Sequence, residues 1–449
     1  MGRLFGTDGA RGVANTEITP ELAMHIGKAA AMVLRKDDTK RPVVLIGRDT
    51  RLSGEMLEGA IAAGLCSAGA DVILLGVVPT PAVAWLIRKR HADGGVMISA
   101  SHNPFEFNGI KLFSREGYKI SDQSEEQIEE IVLDNKFPYS VEVGDSVGRV
   151  KRWDDCLFDY IDYVISTVDG DLNGMHIALD CANGSSSFTA ERIFTRLGAK
   201  VDVLNASPNG KNINKNCGST HIGGLSRYVV EHHLDGGLAF DGDADRCFAV
   251  DAEGNVLDGD TIIAAFAIDL KSRNLLGHNS VVCTVMTNIG FERYCESHGI
   301  RCVYTDVGDR CVLEEMRRGG YNIGGEQCGH VMLLDHTTSD DGQLTGAHLL
   351  SMIKRRGIRL SAFSHMIRRY PQIPINIRIT PESRKRFLED IEILAKADEI
   401  RSAMGKRGKL VVRISGTEPL ARVMAQGEDY HEIEHYAKEM ADFIRERLS

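Results

Sequence analysis

Asp241, Asp243 and Asp245 alternate with the small residues Gly242 and Ala244. Small spacers let the backbone curl until three carboxylates face one point, and hard oxygen donors so arranged suit Mg²⁺. Without a cation such carboxylates repel one another. Magnesium rarely takes an all-protein cage, which leaves room for a phosphate oxygen. An EF-hand is excluded, because Arg246 and Ala252 stand where Gly and Glu are required. The plain alternative is a solvated acidic turn.

Ser101 lies in Ala100-Ser101-His102-Asn103-Pro104, directly after an apolar run, and no G-x-S-x-G elbow of the serine-hydrolase kind is expected anywhere in the chain. Most loop serines form turns or caps. Beside an acidic metal loop, Ser101 becomes a candidate phosphoryl carrier. A phosphate there carries about −1.5 to −2 charge, which Mg²⁺ would offset. Gly6 to Gly12 forms a flexible loop with one fixed cation, Arg11, and Lys111 adds a second that can also donate a proton. Arg413-Ile414-Ser415-Gly416-Thr417-Glu418-Pro419 offers a guanidinium, hydroxyls and a tight backbone for gripping a phosphate dianion, with Arg422 close behind. In isolation the same string reads equally as a β-turn. Glu326-Gln327-Cys328-Gly329-His330 supplies partners for sugar hydroxyls and an imidazole for proton transfer.

The elements that must carry these loops repeat three times. Short apolar runs open each block at Val43 to Arg48, Ile177 to Asn183 and Val281 to Asn288. Each is followed by a helical stretch, a glycine break at Gly69, Gly198 or Gly299, and a second apolar run. The blocks finish DGGVMISASHNP, DGGLAFDGDADR and GGYNIGGEQCGH, a glycine pair leading through a strand into a polar loop each time. This pattern predicts three related α/β units whose strand ends converge on one cleft. After Tyr370 the pattern changes. A strand, a helix from about Pro381 to Ala397, a strand-loop-strand and a closing helix with Ile433, Tyr436, Met440 and Ile444 inward predict a smaller α+β unit. The expected domains are residues 1–155, 156–254, 255–370 and 371–449.

Composition sets the partners. The 449 residues are 43% hydrophobic and 26% charged, an ordinary globular balance. A net charge of −10 argues against nucleic acid or an anionic membrane as the main partner. The ten cysteines are scattered without a C-x-x-C pair, consistent with free thiols in a reducing cytoplasm. MGRLFGTDGARG carries no apolar run, so no signal peptide is expected, and no stretch approaches about 18 apolar residues.

FGTDGARG, ISASHNP, DGDADR, GGEQCGH and RISGTEP match, in order, the signature loops of the α-D-phosphohexomutases, and essentially the whole chain resembles that family. GEQ and SGTEP favour its glucosamine branch over the phosphoglucomutase/phosphomannomutase branch. The resemblance implies a heart-shaped, four-domain molecule whose fourth domain closes over a sugar phosphate. It implies phosphoserine at Ser101, and one Mg²⁺ held by Asp241, Asp243, Asp245 and a phosphoserine oxygen. Arg11, His102, Lys111, Arg246 and His330 would surround the transferring phosphoryl group. Glu326 and Cys328 would read the sugar, and Arg413, Ser415, Gly416, Thr417 and Arg422 would anchor its other phosphate. The reaction implied exchanges 6- and 1-phosphates of glucosamine through a bisphosphorylated sugar, feeding amino-sugar nucleotide and cell-wall precursor synthesis. Sugar phosphates are the expected partners, with homodimer formation left open. Two positions depart from the family: Cys328 stands where serine is usual, and Ile414 where proline is. A haloacid-dehalogenase-like phosphatase is disfavoured, since Ala244-Asp245 lacks the required Thr or Val. A non-enzymatic sensor on this scaffold would be expected to have lost Ser101 or a carboxylate.

Overall fold

The computed structural model describes residues 3–35, 41–137, 142–415 and 420–448. Among these residues the strands form four sheets, of six, five, four and three strands. The first three share one plan. In the first, Val43–Arg48 lies between Asp71–Val77 and Gly94–Ile98, all parallel. His176–Asp180 lies likewise between Lys200–Leu204 and Gly236–Phe240, and Ser280–Thr284 between Arg301–Thr305 and Ile323–Gly325. An antiparallel strand then returns beside the third: Phe107–Ser114, Cys247–Asp251 or Val331–Leu333. The threefold repeat expected from sequence is therefore present strand for strand. The runs opening the second and third blocks end sooner as strands, at Asp180 and Thr284, and continue as loop.

Parallel strands covered on both faces need near-continuous apolar sequence. Val44, Leu45 and Ile46 are each fully buried, a contribution of about 1.5–3 kcal/mol per side chain. Gly94–Ile98, Gly236–Phe240 and Ile323–Gly325 are buried throughout, and the Ser101, Asp241–Asp245 and Glu326–His330 loops leave their carboxyl ends.

The three units interlock. Helix Gly342–Arg356 follows the third sheet in sequence but packs on the second, with Gly346 against Leu238, Phe194 and Cys247. Asp341 caps this helix by accepting the Leu344 amide at 2.9 Å, and it also accepts Tyr160 OH at 2.9 Å from helix Cys156–Thr167. One apolar core consequently runs through Leu45, Phe194 and Phe291.

The last unit keeps its own core. Leu420–Gly427 lies between Gln372–Arg378 and Gly408–Ile414, all antiparallel. The single helix expected from Pro381 to Ala397 is two, Pro381–Glu389 and Ile391–Met404. Asp390 divides them, its carboxylate accepting the Glu392 amide at 3.0 Å as the cap of the second. In the closing helix Tyr430–Leu448, Ile433, Met440 and Ile444 are buried and Tyr436 half-buried. Gln426 ties this unit to the third, accepting the Ile289 amide (2.8 Å) and donating to the Thr287 carbonyl (3.2 Å). No helix among the described residues is long and apolar enough to cross a membrane.

Candidate active site

Ser101 follows strand Gly94–Ile98 and adopts a left-handed backbone, φ 51°. A side-chain-bearing residue persists there when its surroundings over-determine it. The Ser101 amide donates to Ser99 Oγ (2.9 Å), and its carbonyl accepts from Arg51 Nη2 (2.9 Å) and Asn214 Nδ2 (2.8 Å). Arg51 is buried, pairs with Asp49 at 2.8 Å, and donates also to the carbonyls of Asn103 (2.9 Å), Phe107 (3.0 Å) and Pro104. One guanidinium thus pins the serine loop.

The buried Ser101 hydroxyl donates to Asp241 Oδ2 at 2.6 Å. Gly242 permits this meeting of two loops, since a Cβ there would lie 2.6 Å from the Ser101 carbonyl oxygen. Asp241, Asp243 and Asp245 are at most 1% exposed, and each offers an oxygen within 4.8 Å of the others. Asp243 Oδ2 accepts from Thr80 Oγ1 (2.6 Å) and Lys111 Nζ (2.8 Å), and Asp245 Oδ2 accepts from Lys111 (3.0 Å). Oδ1 of both is buried without a hydrogen-bond partner among the described residues. Burial, and then Asp245 and Asp243, hold the Asp241 carboxyl well above its usual range. Two orphaned oxygens and one carboxylate driven toward its neutral form are what a hard divalent cation would resolve, and the all-oxygen donor set suits magnesium.

Cations ring the serine. Burial opposes the charge on Lys111, but Asp243, Asp245 and Asp8 hold its ammonium well above the usual range. Asp8 also binds Arg11 and Lys119, and Lys119 reaches Asp309 of the third unit. The Arg246 amide donates to Asp241 Oδ1 (3.2 Å), and its Nε donates to His330 Nε2 at 2.9 Å. Acceptance at Nε2 puts the His330 proton on Nδ1, which faces Asp340. His102 Nδ1 is 3.4 Å from Ser101 Oγ. Burial, then Arg246 and Arg11, push its pKa down to about 3, leaving the ring uncharged at neutral pH.

Glu326 Oε1 accepts the Gly308 amide at 3.1 Å, and the exposed Cys328 thiol points to Glu326 Oε2 at 3.9 Å. Arg413 and Arg422 are direct register partners on antiparallel strands. Burial, and then Arg422, lower the proton affinity of Arg413, while Glu326 and Asp306 of the third unit act the other way. The Arg413 Nε is buried without a hydrogen-bond partner among the described residues. Two guanidiniums so placed repel unless an anion joins them. The Ser415 amide donates to Leu420 O at 2.7 Å. Gly416 and Thr417 lie outside the described residues.

The fold therefore gathers Ser101, His102, Arg11, Lys111, Arg246, His330 and the three aspartates, with Glu326, Cys328, Arg413 and Arg422 nearby. Asp49, Arg51, Asn214, Thr80, Asp8, Lys119, Asp309 and Asp340 were not expected. Two signals point to some of them: the buried-type ion pair in Gly47-Arg48-Asp49-Thr50-Arg51, and the adjacent carboxylates in Ser339-Asp340-Asp341. One G-x-S-x-G string does occur away from Ser101, at Gly144 to Gly148. It is an exposed 3₁₀ turn whose Ser146 hydroxyl donates to Val143 O at 2.7 Å, not a strand-to-helix elbow.

Four family models match in chain order: the phosphoglucomutase/phosphomannomutase alpha/beta/alpha domains I (residues 2–139), II (159–254) and III (258–370), and the C-terminal domain (375–443). The chain is 49% identical to a phosphoglucosamine mutase of Acetivibrio thermocellus over 448 residues, and 50% identical to one of Caldanaerobacter subterraneus over 449, with 100% of each chain covered. Among solved structures, a phosphoglucomutase/phosphomannomutase family protein from Burkholderia thailandensis superimposes with a TM-score of 0.81 at 24% identity, covering 99% of this chain and 96% of that one. The Aspergillus fumigatus N-acetylphosphoglucosamine mutase, in complex with GlcNAc-6P and magnesium, gives 0.69 at 16% identity with coverage of 99% and 96%. On full-length identity and four ordered domain matches, the chain belongs to the phosphoglucosamine mutase family of the α-D-phosphohexomutase superfamily.

Proposed function

We propose that the chain interconverts glucosamine 6-phosphate and glucosamine 1-phosphate by way of phosphoserine 101 and a bisphosphorylated sugar. The observation that carries this is the buried 2.6 Å contact from Ser101 Oγ to Asp241, which sets a strained serine against three carboxylates. The names of the full-length relatives support the sugar. The proposed domains are residues 1–155, 156–254, 255–370 and 371–449, and the proposed setting is the cytoplasm.

In the proposed cycle, phosphoserine 101 gives its phosphoryl group to the sugar hydroxyl at C1. As the bond from phosphorus to Ser101 Oγ breaks, the proton that the hydroxyl loses is delivered to that oxygen, beside which the uncharged His102 Nδ1 lies at 3.4 Å. Lys111, Arg11 and Arg246 balance the charge spread over the transferring oxygens. Mg²⁺, held by Asp241, Asp243, Asp245 and a phosphoserine oxygen, would supply further positive charge to that group. Arg413 and Arg422, with the Ser415–Thr417 loop, anchor the phosphate not being transferred. Glu326 and Cys328 meet the sugar hydroxyls. The bisphosphate then turns end for end, its 6-phosphate returns to Ser101, and glucosamine 1-phosphate leaves. A reaction in which both ends visit one centre needs this separation of phosphate grip from phosphoryl site.

The test measures conversion of glucosamine, glucose and mannose 6-phosphates side by side, with intact mass reporting the phosphorylated protein. Glucosamine 6-phosphate should be fastest, and Ser101→Ala should lose both the phosphorylated mass and turnover. Faster conversion of glucose or mannose phosphate would move the chain to the sister branch, and near-normal turnover by Ser101→Ala would remove the phosphoserine.

A further inference from the structure

Three thiols meet in the third unit, away from the reaction. Cys283 and Cys302 sit on adjacent parallel strands, where Val281 pairs with Cys302 and Cys283 with Tyr304, so both cysteines point to one face. Cys295 lies on helix Ile289–Ser297, which packs against strand Arg301–Thr305. Cys283 and Cys295 belong to one buried apolar cluster, and Cys302 packs against it. Cys283 and Cys295 are fully buried, whereas Cys302 is partly accessible and lines a cavity of about 450 Å³ with Glu292, Arg301 and Tyr304.

A cation faces this group from the C-terminal unit. Lys409 Nζ lies 4.4 Å from the centre of the Tyr304 ring and is buried without a hydrogen-bond partner among the described residues. A desolvated ammonium of this kind favours an anion nearby. The thiols that bond to Cys302, and then Lys409, draw its pKa down to about 4, while the same contacts and burial raise Cys283 and Cys295. Cys302 is therefore the thiol of the group most favoured to ionise, and the one with a path to solvent.

We propose that Cys302, the accessible member of this cluster, is a peroxide-reactive thiol that closes a reversible disulfide with Cys295. Cys302 Sγ attacks one oxygen of hydrogen peroxide and the O–O bond breaks. The departing hydroxide takes a proton to become water, leaving Cys302 as a sulfenic acid oxidised by two electrons. The rise in Cys295 caused by the neighbouring thiolate then disappears. Cys295 gives up its proton and attacks the Cys302 sulfur, the S–O bond breaks, and a second water leaves as the S–S bond forms. Cys283 is the poorer partner, because residues displaced by two along neighbouring strands stand about 7–8 Å apart, beyond the usual disulfide span. The Ile300 amide, by contrast, donates to the Cys295 carbonyl at 2.9 Å, holding the turn that brings helix and strand together. The disulfide removes one of the anionic groups that face Lys409, leaving Glu292 and Asp260, where the C-terminal strand meets the third unit.

The test exposes the reduced full-length protein to a few equivalents of hydrogen peroxide and maps peptides without reduction. A linked Cys295–Cys302 peptide should appear before oxidation of Cys66 or Cys328 and vanish with dithiothreitol. In Cys295→Ser, dimedone should label Cys302. Dimedone labelling of the wild type at early times gives the same reading without any substitution. Lys409→Met should move the pH midpoint of Cys302 alkylation upward by about one unit, because the ionised sulfur loses its neighbouring cation. The proposal is overturned by a Cys302 that stays reduced while other thiols oxidise, by a link to Cys283 instead, or by an unchanged pH midpoint in Lys409→Met.

Discussion

Arg51 Nη2 donates to the carbonyl oxygen of Ser101 at 2.9 Å, and through this contact a buried guanidinium fixes the proposed site of phosphoryl transfer. Arg51→Lys replaces a planar fork by a point charge that cannot reach four carbonyls and Asp49 together. We expect kcat to fall about ten- to a hundredfold with KM little changed, since a displaced nucleophile loses orientation before it loses binding. Arg51→Ala leaves Asp49 buried and unpaired and should cost about 3–5 kcal/mol of stability by urea unfolding. An unaltered kcat in Arg51→Lys would show that the loop holds itself.

Asp243→Asn keeps the shape of the acidic loop and removes one charge. Calorimetric Mg²⁺ affinity should drop, and kcat should fall about a hundred- to a thousandfold. Full activity after exhaustive chelation would refute a metal role for the three aspartates.

Arg413→Ala leaves Arg422 facing an empty register position. The loss in sugar-phosphate affinity should be about 2–5 kcal/mol, read as a raised KM, if closure desolvates the guanidinium–phosphate pair. Ser101 phosphorylation and Mg²⁺ affinity should persist. If KM and kcat stay at wild-type values, the strand pair is structural.

Cys328 is exposed, so a small alkylating reagent should inactivate the wild type, with sugar phosphate protecting. Cys328→Ser should resist alkylation and keep or improve KM, because a hydroxyl is the better hydrogen-bond partner. Equal inactivation of both proteins would assign the loss to another thiol.

Asp341 offers a test through pH. Burial raises its carboxyl to about 7 in the folded chain, so the folded state holds this proton where the unfolded state has released it. Its contribution to stability is therefore lost as pH rises from about 4 to about 7, and Asp341→Asn, which keeps a helix-capping oxygen, removes that slope. Relative to wild type, Asp341→Asn should gain about 2 kcal/mol more at pH 8 than at pH 5. Parallel stability profiles for the two proteins would contradict it.

The loops of the proposed site were legible because each concentrates its chemistry in a few consecutive residues. DGDADR declares three carboxylates, and the threefold repeat implied that their strand ends meet. Arg51 and Asn214 were not legible. They act on backbone carbonyls, which have no sequence signature, and Arg51 acts across 50 residues of chain. Asp340 escaped for a related reason: its partner, the Nδ1 of His330, is specified only once Arg246 has claimed Nε2. The break at Asp390 was missed because helical periodicity continues through it, while a single capping carboxylate decides the boundary.

The placement of helix Gly342–Arg356 on the second sheet bears on how the chain is made. The second sheet is complete as strands by Val256–Leu257, yet its covering helix begins at Gly342. At a synthesis rate of about 5–20 residues per second, the apolar face around Leu238 and Cys247 waits several seconds for its cover to leave the ribosome. Nascent chains halted in this interval should bind hydrophobic dyes and chaperones, and release of residues up to about 356 should end both.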